Sequence, residues 1–333
     1  MLNIGIIGAG RIGKVHTQSI VNYVRTAKVT AIADPFITEE TKAWAEGLGA
    51  KVSLDYLDII NDPDIDLVLI CSSSDTHSQI SLEAIAAGKH VFCEKPIDLD
   101  VGRINAVLAA LKAKPELKYT VGFNRRFDHN FRAIRNAVES GAIGKVELVK
   151  VTSRDPAPPS AEYAARSGGI FMDMTIHDFD MVRYLSGEEV ESVFVQPAIL
   201  VDPAIGEAGD FDSAVITMKL SSGALAVIDN SRRCAYGYDQ RAEVFGSLGS
   251  AASRNDAASN VHVATGDGVN AEKPLYFFLE RYMQAFATEV QEFIDAVVND
   301  TPVPVDAQAG LAAVLIGIAA TKSAKTGLPV KVG

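Results

Sequence analysis

Asp173 and His177 stand four residues apart in GGIFMDMTIHDFD (168–180), and Lys95 sits in the short segment Cys93-Glu94-Lys95-Pro96. A carboxylate beside an imidazole favours the charged ring and can orient it to accept a proton. A free imidazole titrates at about 6.5, close to working pH. A lysine cation held at a turn can hydrogen-bond a reacting oxygen and stabilise negative charge as it develops. These three groups suit the oxidation of a secondary alcohol, in which a base removes the hydroxyl proton while hydride leaves the same carbon. If 171–185 is one helix, Asp173 and His177 share a face. Asp180 lies three residues further on, which raises a metal site. No further ligand stands at suitable spacing and hydride transfer to a nicotinamide requires none, so no metal is expected.

Hydride needs an acceptor, and the chain begins with the means to hold one. Gly8-Ala9-Gly10-Arg11-Ile12-Gly13 forms a GxGxxG directly behind the apolar run IGII and directly before a helix-like stretch. In that context Gly8 permits the tight turn, Gly10 lets the backbone approach a pyrophosphate, and Gly13 lets helix and strand pack closely. The amides at the helix N-terminus, from Arg11 and Ile12 onward, then face the negative charge. Asp34 ends the second strand pattern, 21 residues beyond Gly13. An acidic side chain there accepts hydrogen bonds from the adenosine ribose and repels the extra phosphate of NADP, which favours NAD. The run from Ser72 to His77, SSSDTH, closes a further strand on the same side of the sheet. Ser72, Ser73, Glu94 and Lys95 are therefore expected to border the cofactor, while His77 is expected to help start the next helix rather than to move a proton.

The elements that must position these groups come in two styles. Over the first ~120 residues, strands at Asn3–Ile7, Val29–Ala33, Leu67–Cys71, His90–Cys93 and Tyr119–Gly122 alternate with amphipathic helical stretches, and Val52 suggests a short extra strand. That alternation predicts a doubly wound parallel sheet, an α/β Rossmann domain over 1–123. Beyond it, period-two runs such as Ser213–Lys219 and turns such as Ser221-Ser222-Gly223 predict an α+β domain over 124–333 with a large antiparallel sheet. Helices are expected over Arg281–Asn299 and Ala307–Thr326.

Composition narrows the partners. The 333 residues carry 31 basic and 42 acidic side chains, a formal charge of −11. A basic footprint for nucleic acid or an anionic membrane is therefore missing. No run reads as a membrane span or a signal peptide, and Cys71, Cys93 and Cys234 form no CxxC pair, so a cytoplasmic protein with free thiols is expected.

Together, AGRIG, Asp34, CEKP, VGFNRRF and GGIFMDMTIHDFDMVRYL make the chain resemble the Gfo/Idh/MocA oxidoreductase family over essentially its whole length. The stretch from DPAPPSAEY to SGGIFMDMTIHDFD resembles most the inositol 2-dehydrogenases, which convert myo-inositol and NAD to scyllo-inosose and NADH. The resemblance implies that Lys95 touches both the substrate hydroxyl and the nicotinamide. It implies that Asp173 and His177 form the catalytic dyad with His177 as general base, and that Arg125, Asp155 and Tyr236 line the polyol pocket. It also implies a homo-oligomer, a dimer or tetramer, built through the open sheet. Another inositol isomer, an aldose such as glucose, or an NAD-binding sensor without turnover are the competing readings.

Overall fold

The structure is a computed structural model that describes residues 1–333. The chain divides into two compact units, Met1–Asn124 with Met283–Ala312, and Arg125–Tyr282 with Ala313–Gly333. Residues 283–312, which the sequence reading gave to the second domain, thus belong to the first unit.

In the first unit the strands are β1 (Leu2–Ile7), β2 (Ala27–Ala33), β3 (Lys51–Ser53), β4 (Leu67–Ile70), β5 (His90–Glu94) and β6 (Tyr119–Gly122). They form one parallel sheet in the order β3-β2-β1-β4-β5-β6. The connecting helices are α1 (Arg11–Tyr23), α2 (Glu39–Gly47), α3 (Leu57–Ile60), α4 (His77–Ala86) and α5 (Val101–Ala113). The strands are short apolar runs, and β4 is buried along its whole length, as a strand covered on both faces must be. The order reverses between β1 and β4. A crevice at the carboxyl ends of the strands beside such a reversal is where ligands of doubly wound sheets bind.

The glycines of 8–13 are explained by what a side chain would meet. A Cβ on Gly8, whose φ is +99°, would lie 2.6 Å from the Cys71 carbonyl oxygen. On Gly13 it would lie 1.9 Å from the Gly8 carbonyl oxygen, whereas on Gly10 it would meet nothing within 4 Å. The outer glycines are thus demanded by the protein itself, while the middle one keeps an open face.

The second unit contains α6 (His129–Glu139), β7 (Val146–Arg154), α7 (Ala161–Arg166), α8 (Ile170–Asp173), α9 (Ile176–Ser186), β8 (Val190–Ala198) and α10 (Pro203–Glu207). β9 (Ser213–Leu220), β10 (Leu225–Ser231), β11 (Asp239–Gly246), β12 (Gly249–Ala252), β13 (His262–Thr265), β14 (Gly268–Ala271) and α11 (Phe278–Arg281) follow. The chain then supplies α12 (Met283–Val298) to the first unit, runs through α13 (Ala307–Thr326), which is shared between the two, and ends in β15 (Val330–Lys331). The large sheet has the order β12-β11-β7-β10-β9-β8-β15. It is mixed rather than wholly antiparallel, because β7 and β10 run parallel. Along β9, Ile216, Met218 and Leu220 are buried while Val215, Thr217 and Lys219 are exposed, so one sheet face makes the core.

Two expectations need correction. The stretch 171–185 is not one helix: α8 stops at Asp173 and α9 begins at Ile176. At the break the Thr175 hydroxyl donates to Asn230 Oδ1 at 2.7 Å, anchoring the chain where an unbroken helix would carry it past. In addition, α13 is long and apolar enough to cross a membrane by length and composition, although 61% of its most apolar window is buried inside the protein.

The Gly8–Gly13 contact sets a first test. Gly13→Ala forces helix and strand apart, so urea unfolding should show a loss of about 1–3 kcal/mol, the usual cost of overpacking. Gly10→Ala should leave stability within about 1 kcal/mol, the helix-propensity scale, and raise the KM for NAD.

Candidate active site

In the first unit, loops at the carboxyl ends of β1, β2, β4 and β5 carry the candidate cofactor residues. Asp34 links two of them: its carboxylate accepts from the Ala9 amide and from the Phe36 amide, each at 2.8 Å. The glycine loop and the end of β2 are therefore held in register by the residue expected to read the ribose. Arg11 opens α1 on the surface, Ile12 is half-buried and Gly13 is buried. Ser72 Oγ lies 2.7 Å from Thr76 Oγ1, and the Ser73 carbonyl accepts from the Thr76 hydroxyl at 2.8 Å. Glu94 turns its carboxylate inward, where the buried His16 Nε2 meets Oε1 at 2.6 Å. Lys95 follows, half-buried, with a cis peptide to Pro96. The open face at Gly10, the amides opening α1 and the Asp34 carboxylate fit a dinucleotide.

In the second unit a second set of groups converges. Asp173 ends α8 and His177 lies in the first turn of α9, on either side of the break at Met174–Thr175. Asp173 is gripped from two directions: Tyr163 Oη donates to Oδ1 at 3.1 Å, and Arg232 Nη1 stands 3.5 Å from Oδ2. Arg232 is itself buried, and its other amino group reaches Asp210 Oδ2 at 3.4 Å. Asp210 Oδ1 in turn accepts the Ile170 amide at 2.9 Å and so fixes the start of α8. Nothing in the local spacing around NSRRC marks Arg232, because its partners lie 59 and 22 residues away (232 − 173 and 232 − 210).

Asp155 follows β7 and shares an electrostatic neighbourhood with Arg125, Arg232, Asp173 and Asp178. Burial lifts its carboxyl to about 6, the two neighbouring carboxylates push the same way, and the two arginines oppose them. Arg125 is buried and donates to Asp178 Oδ1 at 2.5 Å, with Ser153 Oγ and Tyr238 Oη each at 3.5 Å. Asp178 Oδ2 also accepts from Asn230 Nδ2 at 2.8 Å. Burying such a pair is tolerable because further hydrogen bonds with Ser153, Tyr238 and Asn230 surround it.

Tyr236 belongs to another network. Its hydroxyl donates to Asp239 at 2.6 Å and accepts from Arg154 at 3.2 Å, so the tyrosine beside Arg125 is Tyr238. Tyr238 stands just before β11, beyond a turn at Gly237 with φ +131°, so no periodic pattern in the sequence marks it. Asp180 is buried and held by Arg126 through two bonds at 2.8 and 2.5 Å, which explains an acidic residue there without a metal. Elsewhere, Asp128, His129 and Asp256 cluster closely, but the Arg281 guanidinium already bonds Asp128 and Asp256 and supplies the positive charge.

A parallel sheet with a glycine loop and an aspartate beyond β2, joined in one chain to an aspartate and a histidine on either side of a helix break, fits a dinucleotide-dependent oxidoreductase. The chain belongs to the Gfo/Idh/MocA family: residues 2–123 match the model of the oxidoreductase family with NAD-binding Rossmann fold, and residues 131–252 match the GFO/IDH/MocA C-terminal domain. It is 46% identical over 323 residues to a myo-inositol 2-dehydrogenase of Thermotoga maritima, covering 97% of this chain and 96% of that one. A solved myo-inositol dehydrogenase from Corynebacterium glutamicum superposes with a TM-score of 0.94 at 37% identity, covering 100% of this chain and 99% of that one. The scyllo-inositol dehydrogenase of Lactobacillus casei with bound NAD(H) and scyllo-inositol gives 0.92 at 32% identity, covering 100% and 99%. The protein is an NAD-dependent oxidoreductase.

Arg232 sets the test of this geometry. Arg232→Ala leaves Asp173 and Asp210 without their shared cation, so urea unfolding should show a loss of about 3–5 kcal/mol. Arg232→Lys keeps the charge without the fork and should lie between wild type and Ala in both stability and kcat.

Proposed function

We propose that this chain oxidises the ring hydroxyl of a cyclic polyol, myo-inositol to scyllo-inosose, with NAD. The observation that carries the reading is the half-buried set of Asp155 and Asp173 around the buried Arg232, with His177 at the start of the next helix. Such a set offers several acceptors and donors to a ring of hydroxyls and rejects analogues that would leave its polar groups unpaired. The inositol dehydrogenases among its relatives support the same substrate class.

In this reading His177 takes the hydroxyl proton and Asp173, steadied by Tyr163 and Arg232, holds the imidazole in orientation. Lys95 donates to the reacting oxygen and stabilises the charge that develops as its proton leaves. The Arg125 charge opposes burial at Asp155 and so favours its ionised form as an acceptor for a second hydroxyl. NAD, when bound, accepts the hydride. Gly8, Gly10, Arg11, Ile12, Gly13, Asp34, Ser72, Ser73, Glu94 and Lys95 form its binding loops.

The protein works as a homo-oligomer in the cytoplasm. Support for the first is an exposed sheet face where Phe245, Leu148 and Leu225 pair across β11, β7 and β10, an apolar row of the kind that marks an interface. Support for the second is three free cysteines, Cys71, Cys93 and Cys234.

NADH formation with a panel of myo-inositol, scyllo-inositol, chiro-inositol and glucose decides the substrate. Myo-inositol with NAD should give the highest kcat/KM; a signal confined to glucose would overturn the inositol assignment. His177→Ala should lower kcat by about 10²–10⁴-fold, the range for losing a general base, and full activity in that variant would remove His177 from the mechanism. The Asp155 carboxyl adds a pH test. Because it titrates at about 6, it gains a proton as pH falls through that value, and the KM for inositol should rise there. Asp155→Asn should carry a higher KM at pH 8 and lack that rise.

A further inference from the structure

His77 is the first residue of α4 and is 1% exposed, yet its side chain does not cap the helix it begins. Its ring lies between two loops instead. Nδ1 stands 2.7 Å from the Pro96 carbonyl oxygen and Nε2 stands 3.1 Å from the Ser72 carbonyl oxygen. Carbonyl oxygens only accept, and a neutral imidazole has one N–H. A neutral ring would aim a lone pair at one of those oxygens, in a place from which water is excluded. Only the imidazolium satisfies both.

The carbonyls joined in this way belong to the cofactor side of the sheet. Ser72 follows β4, and its amide nitrogen lies where a Cβ on Gly8 would come within 2.7 Å. Pro96 follows Lys95 after β5. One ring therefore ties the loop packed on the glycine turn to the loop that carries Lys95. We propose that His77 is a positioning residue protonated at working pH, whose two N–H groups lock the Ser72 and Pro96 carbonyls and so fix Lys95 relative to the dinucleotide loops. The inference rests on the reading of Ser72 and Lys95 as cofactor and substrate contacts.

The surroundings agree. Burial alone would pull the ring below its usual 6.5, but the adjacent Cys93 sulfur of β5 and the two carbonyls outweigh it and the ring titrates at about 9. The Cys93 sulfur faces the ring from β5, with its Sγ 3.2 Å from the Glu94 carbonyl oxygen. Folding therefore raises the pKa of His77. Its contribution to stability is complete below about 6.5, the unfolded value, and is lost as pH rises through about 9.

The test begins with the wild-type holoenzyme, labelled with nitrogen-15 at histidine and saturated with NAD. Long-range proton–nitrogen correlation at pH 7.5 should show one ring with both nitrogens protonated, assigned to His77 by single Gln variants at His16, His90, His129, His177 and His262. If every ring is neutral or titrates near its ordinary value, the clamp is wrong. His77→Ala should lower kcat by roughly 10²-fold, the scale of an ångström of misplacement. Added imidazole should restore part of that loss, whereas 1-methylimidazole, whose cation has one N–H, should not. Equal rescue by both, or an undiminished kcat, would show a space-filling role and overturn the proposal. Lys95→Ala separates the two readings, because full activity in that variant would end Lys95's role and leave the nitrogen spectrum of His77 unchanged.

Discussion

A carboxylate that is to stay ionised where most water has gone requires cations nearby. The second unit meets the requirement with arginines it has buried for the purpose. Arg125 and Arg232 are 4% and 2% exposed, and each is neutralised by its own aspartate, Asp178 and Asp210 respectively. The pairing lets a guanidinium exist in the interior at all. What remains of both fields acts on Asp155, and Arg232 also reaches Asp173. Remove an arginine and a whole set of charges loses its balance.

The same need shapes the backbone. Asp210 holds Arg232 with one oxygen and the amide of Ile170 with the other, so the start of α8 and the charge beside Asp173 are set by one side chain. A Cβ on Gly169, whose φ is +80°, would lie 2.8 Å from Asp210 Oδ1. The glycine pair ahead of the dyad is thus there because a carboxylate must pass close to the chain. Thr175 and Asn230 complete the scheme: Thr175 donates to Asn230 Oδ1, and Asn230 Nδ2 donates to Asp178, linking the helix break to the Arg125 pair.

Much of this was legible in the sequence where a local pattern carries its own cause. GxGxxG and Asp34 could be read because a strand, a tight turn and a helix start impose residue types at fixed spacing. The doubly wound sheet followed from alternating apolar and amphipathic runs for the same reason. Where partners meet across long stretches of chain, the pattern says nothing. Arg232 looks like any arginine in NSRRC until β10 brings it beside Asp173, and α12 looks like part of the second domain until it packs on α1 of the first unit. The single helix expected over 171–185 failed because tertiary anchoring of Thr175 outweighed a continuous helical pattern. The parallel pair β7–β10 is of the same kind, since alternation in a strand does not reveal the direction of its neighbour.

His77 illustrates the division within one residue. Its place after SSSDT, at the mouth of a helix, suggested a helix-starting role, and sequence alone offers no reason to look further. The two carbonyls that surround it come from positions 5 residues before and 19 residues after it. Both are backbone atoms, so no residue type betrays them. The consequence is chemical rather than merely steric. An imidazole between two acceptors is charged by geometry, and a charge buried under the cofactor loops ties their spacing to a proton that the solvent has little access to remove. The positions of Ser72 and Lys95 are therefore set by electrostatics as well as by packing, and a substitution that preserves the volume of His77 but not its second N–H alters the first without touching the second.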